Sequence, residues 1–354
     1  MTAHGGNIWE LIEERGLSPT EVLDFSADLN PLGPPPHWEA LLQEAGPSVR
    51  HLPEPTCAEF RAAVARKEGV DPDQILPGNG TSDLIHLISR LHPRSRALVW
   101  VPTFTEYERA VLADGGEILP WSGEGHKDFP SWERIDLLFL CNPNNPTGFL
   151  WPKEDLLRLI RSADEAGAVS VVDETVMDLV EDSQRYSLIP QVDCLKRLIV
   201  LKSFSKSFAM PGLRIGSLVA SRRMVQRLAR IQPPWAMSSL AAWVGARLAQ
   251  EDRFLEESRR RLSDLRVGLW EGFRGIPELQ PRPSAANFFL CRIADPRWTG
   301  PDLAQRLRRR GILIRTCDDF TGLAQGRFIR VSVRLEEENR RLLSALREIF
   351  GHAG

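Results

Sequence analysis

Short apolar runs recur along the chain at 97–101, 136–141, 168–172, 198–202 and 215–220. Each is nearly continuous in hydrophobic residues rather than alternating, as in strands buried on both faces. Amphipathic stretches of helical period fill the gaps between most of them. Residues 81–91 and 153–166 predict two such helices, the second closed by Gly167 as a C-cap. Strands separated by helices predict an α/β fold, a three-layer αβα large domain around a mostly parallel sheet. A charged, helical pattern over 235–273 predicts a long connector. Beyond it the pattern changes: strands at 286–293, 312–315 and 327–333 and helices at 301–310 and 336–350 predict a smaller α+β domain. The expected division is a large domain over 40–270 and a small domain made of 271–354 with 1–39. The Pro-rich piece 31–36 reads as an irregular connector.

Composition narrows the class. The 354 residues are 42% hydrophobic and 26% charged, the balance of a globular protein long enough for two domains. The net charge of −2 gives no overall field for nucleic acid or an acidic membrane, and neither is expected as a partner. Five widely spaced cysteines, with no Cys-x-x-Cys pair, suggest reduced thiols rather than a disulfide framework or a metal site. No leader-like N-terminus and no apolar run of about 20 residues is present, so a cytoplasmic enzyme is expected.

Four segments then stand out, each close to a predicted strand end, where open α/β sheets gather their ligands. Gly78-Asn79-Gly80-Thr81-Ser82 precedes a helix. Its glycines allow close backbone approach, and the helix N-terminus favours an anion such as phosphate. Alone it fits an ordinary capped loop as well. The run 142–148, NPNNPTG, is a tight turn that holds Asn side chains at a strand end, where an amide can donate to a ring oxygen. Asp173-Glu174 ends the strand at 168–172. A carboxylate there is costly without a partner, and a protonated pyridine nitrogen is one; capping of the next helix is the other reading. Ser203-Phe204-Ser205-Lys206 is followed at eight residues by Arg214. Hydroxyls and an arginine fork suit a phosphate dianion, and a lysine amine among them can condense with an aldehyde. Together these are the parts of a pyridoxal phosphate site, with Lys206 as the Schiff-base lysine.

With those segments the sequence resembles, almost end to end, the fold type I aminotransferase superfamily and its histidinol-phosphate aminotransferase branch. His4-Gly5-Gly6-Asn7, Asp24-Phe25-Ser26-Ala27 leading into Asn30-Pro31-Leu32-Gly33, and 311–317 are similar, within that branch, to the threonine-phosphate decarboxylases of cobalamin biosynthesis. The resemblance implies that Asp173 pairs the pyridine nitrogen, Asn145 donates to the ring O3′ and Phe104 stacks on the ring. It implies a phosphate cradle from the amides of Gly80 and Thr81 with Ser203, Ser205 and Arg214. Arg330 matches the substrate-carboxylate arginine, and His4, Gly5, Asp28 and Arg315 match the substrate-binding segments, His4 and Arg315 for the phosphate. A phosphorylated amino acid would lose carbon dioxide once its remote phosphate orients the Cα–carboxylate bond across the ring. A homodimer is also implied. Decarboxylation of serine phosphate, transamination of histidinol phosphate or an aromatic amino acid, and a non-catalytic sensor remain alternatives. The chain departs from its relatives at Asp28 (Asn in the decarboxylases), at Leu52 (a Tyr reaching the partner subunit's cofactor) and at Thr175-Val176 (Ala and an aromatic). His51 could replace the lost Tyr, and Asp28 is expected to repel a phosphate or to pair with an Arg or His.

Overall fold

The structure is a computed structural model that describes residues 5–122 and 131–351. The strand β1 (Leu23–Asp24) precedes the main sheet. That sheet holds β2 (Ile75–Asn79), β3 (Arg96–Trp100), β4 (Glu117–Trp121), β5 (Leu137–Cys141), β6 (Val169–Asp173), β7 (Leu198–Ser203) and β8 (Ile215–Ala220). Five more strands follow: β9 (Leu279–Pro281), β10 (Phe288–Ile293), β11 (Ile312–Leu313), β12 (Arg315–Thr316) and β13 (Phe328–Ser332).

The main sheet has the order β2-β8-β7-β6-β5-β3-β4. From β4 across to β7 all neighbours are parallel, while β8 is antiparallel to both β7 and β2. Only residues 204–214 separate β7 from β8, too short a span for the helical crossover that a parallel pair requires. The chain therefore turns back along its neighbour.

Both faces of this sheet are covered, which is why its strands read as unbroken apolar runs. Leu138 and Leu140 of β5, with Leu198 and Val200 of β7, pack under the helices Ala58–Glu68, Lys153–Ala166 and Ser239–Leu248. Leu137 and Phe139, with Ile199 and Leu201, pack under the helices Gly80–Leu91, Glu106–Ala113 and Arg222–Ala229. The helix Lys153–Ala166 buries Leu156, Leu159, Ile160 and Ala163, one stripe at helical spacing, and ends at Gly167 in the left-handed conformation.

The remaining strands build a second core. The antiparallel sheet β12-β13-β10-β9 and the parallel pair β1-β11 pack with the helices Gly300–Arg308 and Glu336–Phe350. The expected connector over 235–273 is two helices, Ser239–Leu248 and Asp252–Arg274. The longer one joins the cores: Leu255 packs in the first, and Leu262, Leu265, Leu269 and Phe273 in the second. Among the described residues no helix is long and apolar enough to cross a membrane.

Candidate active site

The chain order of the strands reverses between β3 and β5, which opens a crevice at their carboxyl ends. Phe104 lies beyond β3, Asn145 beyond β5, Asp173 ends β6, and Lys206 follows β7. Because β8 runs the other way, Arg214 just ahead of it reaches the same edge. Segments from the second core close the crevice from above. The result is a cavity of about 390 Å³, a size usual for small-molecule sites.

Gly5, Asp28, Thr81, Phe104, Asn145, Asp173, Ser203, Ser205, Lys206, Arg214, Arg315 and Arg330 all line it. Gly80 is not among the lining residues, although a Cβ added to it would meet the Arg214 guanidinium. His4 lies outside the described residues. Leu52 is 73% exposed and, like His51, takes no part in lining the cavity.

Local structure explains the placement. Ser203 caps the one-turn helix Phe204–Ser207, its Oγ accepting from the Ser205 N–H at 3.3 Å. Asn30 then pins that turn. Its N–H donates to the Lys206 carbonyl at 2.9 Å, and its Nδ2 donates to the Ser207 carbonyl at 2.9 Å and to Ser258 Oγ at 2.8 Å. In the Asn-rich turn, Asn144 braces the loop after β3 through Thr103 Oγ1 (2.7 Å) and the Pro102 carbonyl (2.9 Å). Asn142 accepts from the Trp151 N–H at 2.9 Å. Asn145 is left facing the cavity. Its Oδ1 accepts from Arg330 Nη1 at 2.6 Å, so its NH₂ is the end free to serve a ligand oxygen.

Gly80 adopts φ +78°, and a Cβ there would stand 2.3 Å from Arg214 Nη2. A Cβ on Gly216 would stand 2.7 Å from the Gly80 carbonyl carbon. The helix N-terminus and the guanidinium therefore meet only because both positions lack a side chain. They form a concave donor surface beside Ser203 and Ser205. The hydroxyl of Ser205 is buried and makes no hydrogen bond among the described residues. Such an orphan in a cavity wall calls for an absent partner.

Asp173 makes the same demand more strongly. It is 3% exposed, and no cation pairs with it among the described residues. Burial pushes its carboxyl up, only partly offset by the Thr175 N–H at 2.9 Å and the Tyr107 hydroxyl at 2.8 Å. A ring nitrogen that carries a proton would fit here as the counter-charge. Asp28 is the opposite case. Burial opposes its charge, yet Lys206 Nζ at 2.7 Å and Arg330 Nη2 at 3.7 Å hold its carboxyl well below the usual range. The residue expected to repel a phosphate or to seek an Arg or His is thus paired with Arg330 and with the lysine itself. Arg330 also donates to the Ser26 carbonyl at 2.7 Å.

Tyr107 did not stand out in the sequence. It is fully buried, stacked on Phe139 at 5.1 Å and edge-on to Phe104 at 5.6 Å. Its neighbours in the sequence make it read as core; only the unpaired carboxylate of Asp173, two strands away, reveals its second task.

A family model described as aminotransferase class I and II matches residues 20–346. A threonine-phosphate decarboxylase of Salmonella typhimurium is 35% identical over 365 residues, covering 99% of this chain and 97% of that protein. A histidinol-phosphate aminotransferase of Methanothermobacter thermautotrophicus is 30% identical, covering 98% and 93%. Among solved structures, an L-threonine-O-3-phosphate decarboxylase from Porphyromonas gingivalis superposes with a TM-score of 0.86 at 26% identity, covering 93% of this chain and 99% of that one. With the family model spanning residues 20–346 and relatives aligned over nearly their whole length, the chain belongs to the aminotransferase class I and II family.

Proposed function

We propose that the protein decarboxylates L-threonine O-3-phosphate to (R)-1-amino-2-propanol O-2-phosphate with pyridoxal 5′-phosphate as cofactor, the product serving the cobalamin nucleotide loop. Lys206 would hold the cofactor covalently and Asp173 its ring nitrogen. Asn145 would meet its ring oxygen and Phe104 its face. The amides of Gly80 and Thr81, with Ser203, Ser205 and Arg214, would hold its phosphate. Bound there, pyridoxal phosphate supplies an aldehyde for the substrate amine and a ring that accepts the electron pair released at Cα.

The observation that carries the substrate reading is that two buried arginines, Arg315 and Arg330, share one cavity with Lys206. Threonine phosphate presents two anionic groups, a carboxylate and a phosphate. Arg330 orients the first and Arg315 the second, so that binding at the unreacting phosphate fixes the direction of the Cα–carboxylate bond. Lys206, beside Asp28, or water would return a proton to Cα after carbon dioxide departs. Gly5 of the N-terminal segment lines the same cavity.

The reading includes a homodimer, supported by the full-length relatedness and tested by light scattering. It includes a cytoplasmic setting, consistent with five unbridged cysteines of which only Cys194 is exposed. The histidinol-phosphate aminotransferase relatives favour transamination as the second reading. The test is to mix the purified holoenzyme with threonine phosphate and to follow carbon dioxide. Release is expected; pyridoxamine phosphate formed from the amino donor and its nitrogen passed on to a keto acid acceptor, with no carbon dioxide, would discard decarboxylation.

A further inference from the structure

Each of the two cavity arginines proposed to meet the substrate, Arg315 and Arg330, already holds a carboxylate of the chain itself. Arg330 faces Asp28, but Asp28 also holds Lys206, so its role is tied to the cofactor lysine. Arg315 faces Asp319, for which no other ion pair is found among the described residues. Arg315 Nη2 donates to both oxygens of Asp319, at 2.8 and 2.7 Å, while Nη1 donates to the Thr316 carbonyl. The Phe320 ring stands 5.1 Å from the guanidinium carbon. The two ends of this pair differ in environment: the Arg315 side chain is 6% exposed and that of Asp319 is 34% exposed.

The arginine is thus fixed by three groups, of which only one is charged. The backbone carbonyl and the aromatic face also help to aim it. The carboxylate adds charge neutralisation, and of the two proposed substrate arginines it does so on the one whose carboxylate does not also hold Lys206. An incoming dianion must share that guanidinium with a like charge. The loop that carries Asp319 is itself anchored: Asp318 Oδ1 accepts from the Gly326 N–H, and Thr321 Oγ1 donates to Glu108. The competitor is therefore held close.

We propose that Asp319 is a built-in competitor for the anion site at Arg315, set to weaken the hold on a phosphate group and so to speed release of a phosphorylated product. The inference rests on the proposed function, in which the phosphate does not react. Contacts to an unreacting group are kept from substrate to product, so any hold beyond what orients the reacting bond slows departure. A resident carboxylate that takes back the guanidinium as the phosphate leaves limits that excess.

The test compares wild-type holoenzyme with Asp319→Asn and Arg315→Gln, using inorganic phosphate as the probe in titration calorimetry at fixed ionic strength. The bound cofactor fills its own phosphate cradle, so the probe reports the second site. Asn keeps an acceptor for Arg315 and removes the charge. Phosphate is expected to bind Asp319→Asn roughly five- to tenfold more tightly than wild type, and Arg315→Gln to lose that binding. In turnover, kcat and KM should fall together in Asp319→Asn. A merely structural role for Asp319 would weaken binding, so the sign decides. Equal or weaker phosphate binding in Asp319→Asn, or undiminished binding in Arg315→Gln, overturns the inference. Carbon dioxide release from threonine phosphate is scored separately. Release without tightening in Asp319→Asn sinks this inference alone, and tightening without release supports the competitor and discards the reaction.

Discussion

Gly80→Ala tests the cofactor cradle at the point where geometry is tightest. Two costs are separable. An L-residue held at φ +78° is disfavoured by roughly 1–2 kcal/mol, which appears as lower stability of the ligand-free protein. The new Cβ would also stand 2.3 Å from Arg214 Nη2 and 3.0 Å from its Cζ. The guanidinium must move aside, and a charge-assisted hydrogen bond to the cofactor phosphate is lost, about 1.5–3 kcal/mol. Only this second cost enters cofactor affinity, a weakening of roughly ten- to a hundredfold. Equilibrium dialysis of pyridoxal phosphate measures it, and thermal unfolding of the ligand-free protein measures the first. Arg214→Lys removes the fork without touching the backbone and should cost a similar affinity. The double variant should cost less than the sum, because both act on one contact. Cofactor affinity within twofold of wild type in Gly80→Ala would refute the assignment of this surface to the phosphate.

Two other predictions concern the buried charges behind the site. Burial, only partly offset by Lys202 and by hydrogen bonds from Leu188 and Ser187, pushes Glu174 up from its ordinary 4.5 to about 7. The folded state then binds this proton more tightly than the unfolded chain, so its stabilising contribution is full below pH 4.5 and is lost as pH rises through 7. Glu174→Gln should gain about 3 kcal/mol relative to wild type across that window in denaturant titrations, and a pH-independent difference would contradict the assignment. Lys202 is buried against Asp178 and Glu68, whose charges raise its pKa despite burial. Lys202→Met should cost about 3–5 kcal/mol by stranding both carboxylates, and a loss below 1 kcal/mol by chemical denaturation would show the cluster to be solvated.

Much of this architecture can be read from the chain, and the exceptions have physical causes. The central strands expected at 136–141, 198–202 and 215–220 occur at Leu137–Cys141, Leu198–Ser203 and Ile215–Ala220. Burial on both faces leaves an apolar run that no helix of that length would need. β2 does not show this pattern, because Pro77 and Gly78 interrupt it; on an outer strand next to an antiparallel neighbour both are tolerated. β4 hides for a similar reason, with Glu117 and Pro120 on an edge strand. The break at 249–251 inside the long helical pattern, and the split of 312–315 between β11 and β12 of different sheets, are tertiary choices that periodicity does not record. The cavity residues are legible because cofactor chemistry restricts residue type and strand-end position together. What that pattern does not contain is the pairing among them. Asp28 on Lys206, Tyr107 on Asp173 and Asp319 on Arg315 join residues whose sequence distances carry no signal, or whose small separation reads as an ordinary turn.

The account stands on a covalent bond between Lys206 Nζ and pyridoxal phosphate. Borohydride reduction of the purified protein with pyridoxal phosphate, followed by peptide mass mapping, reads that bond directly. The expected result is a single reduced adduct on the peptide containing Lys206, absent in Lys206→Ala. An adduct on another lysine, or one undiminished in Lys206→Ala, would contradict it.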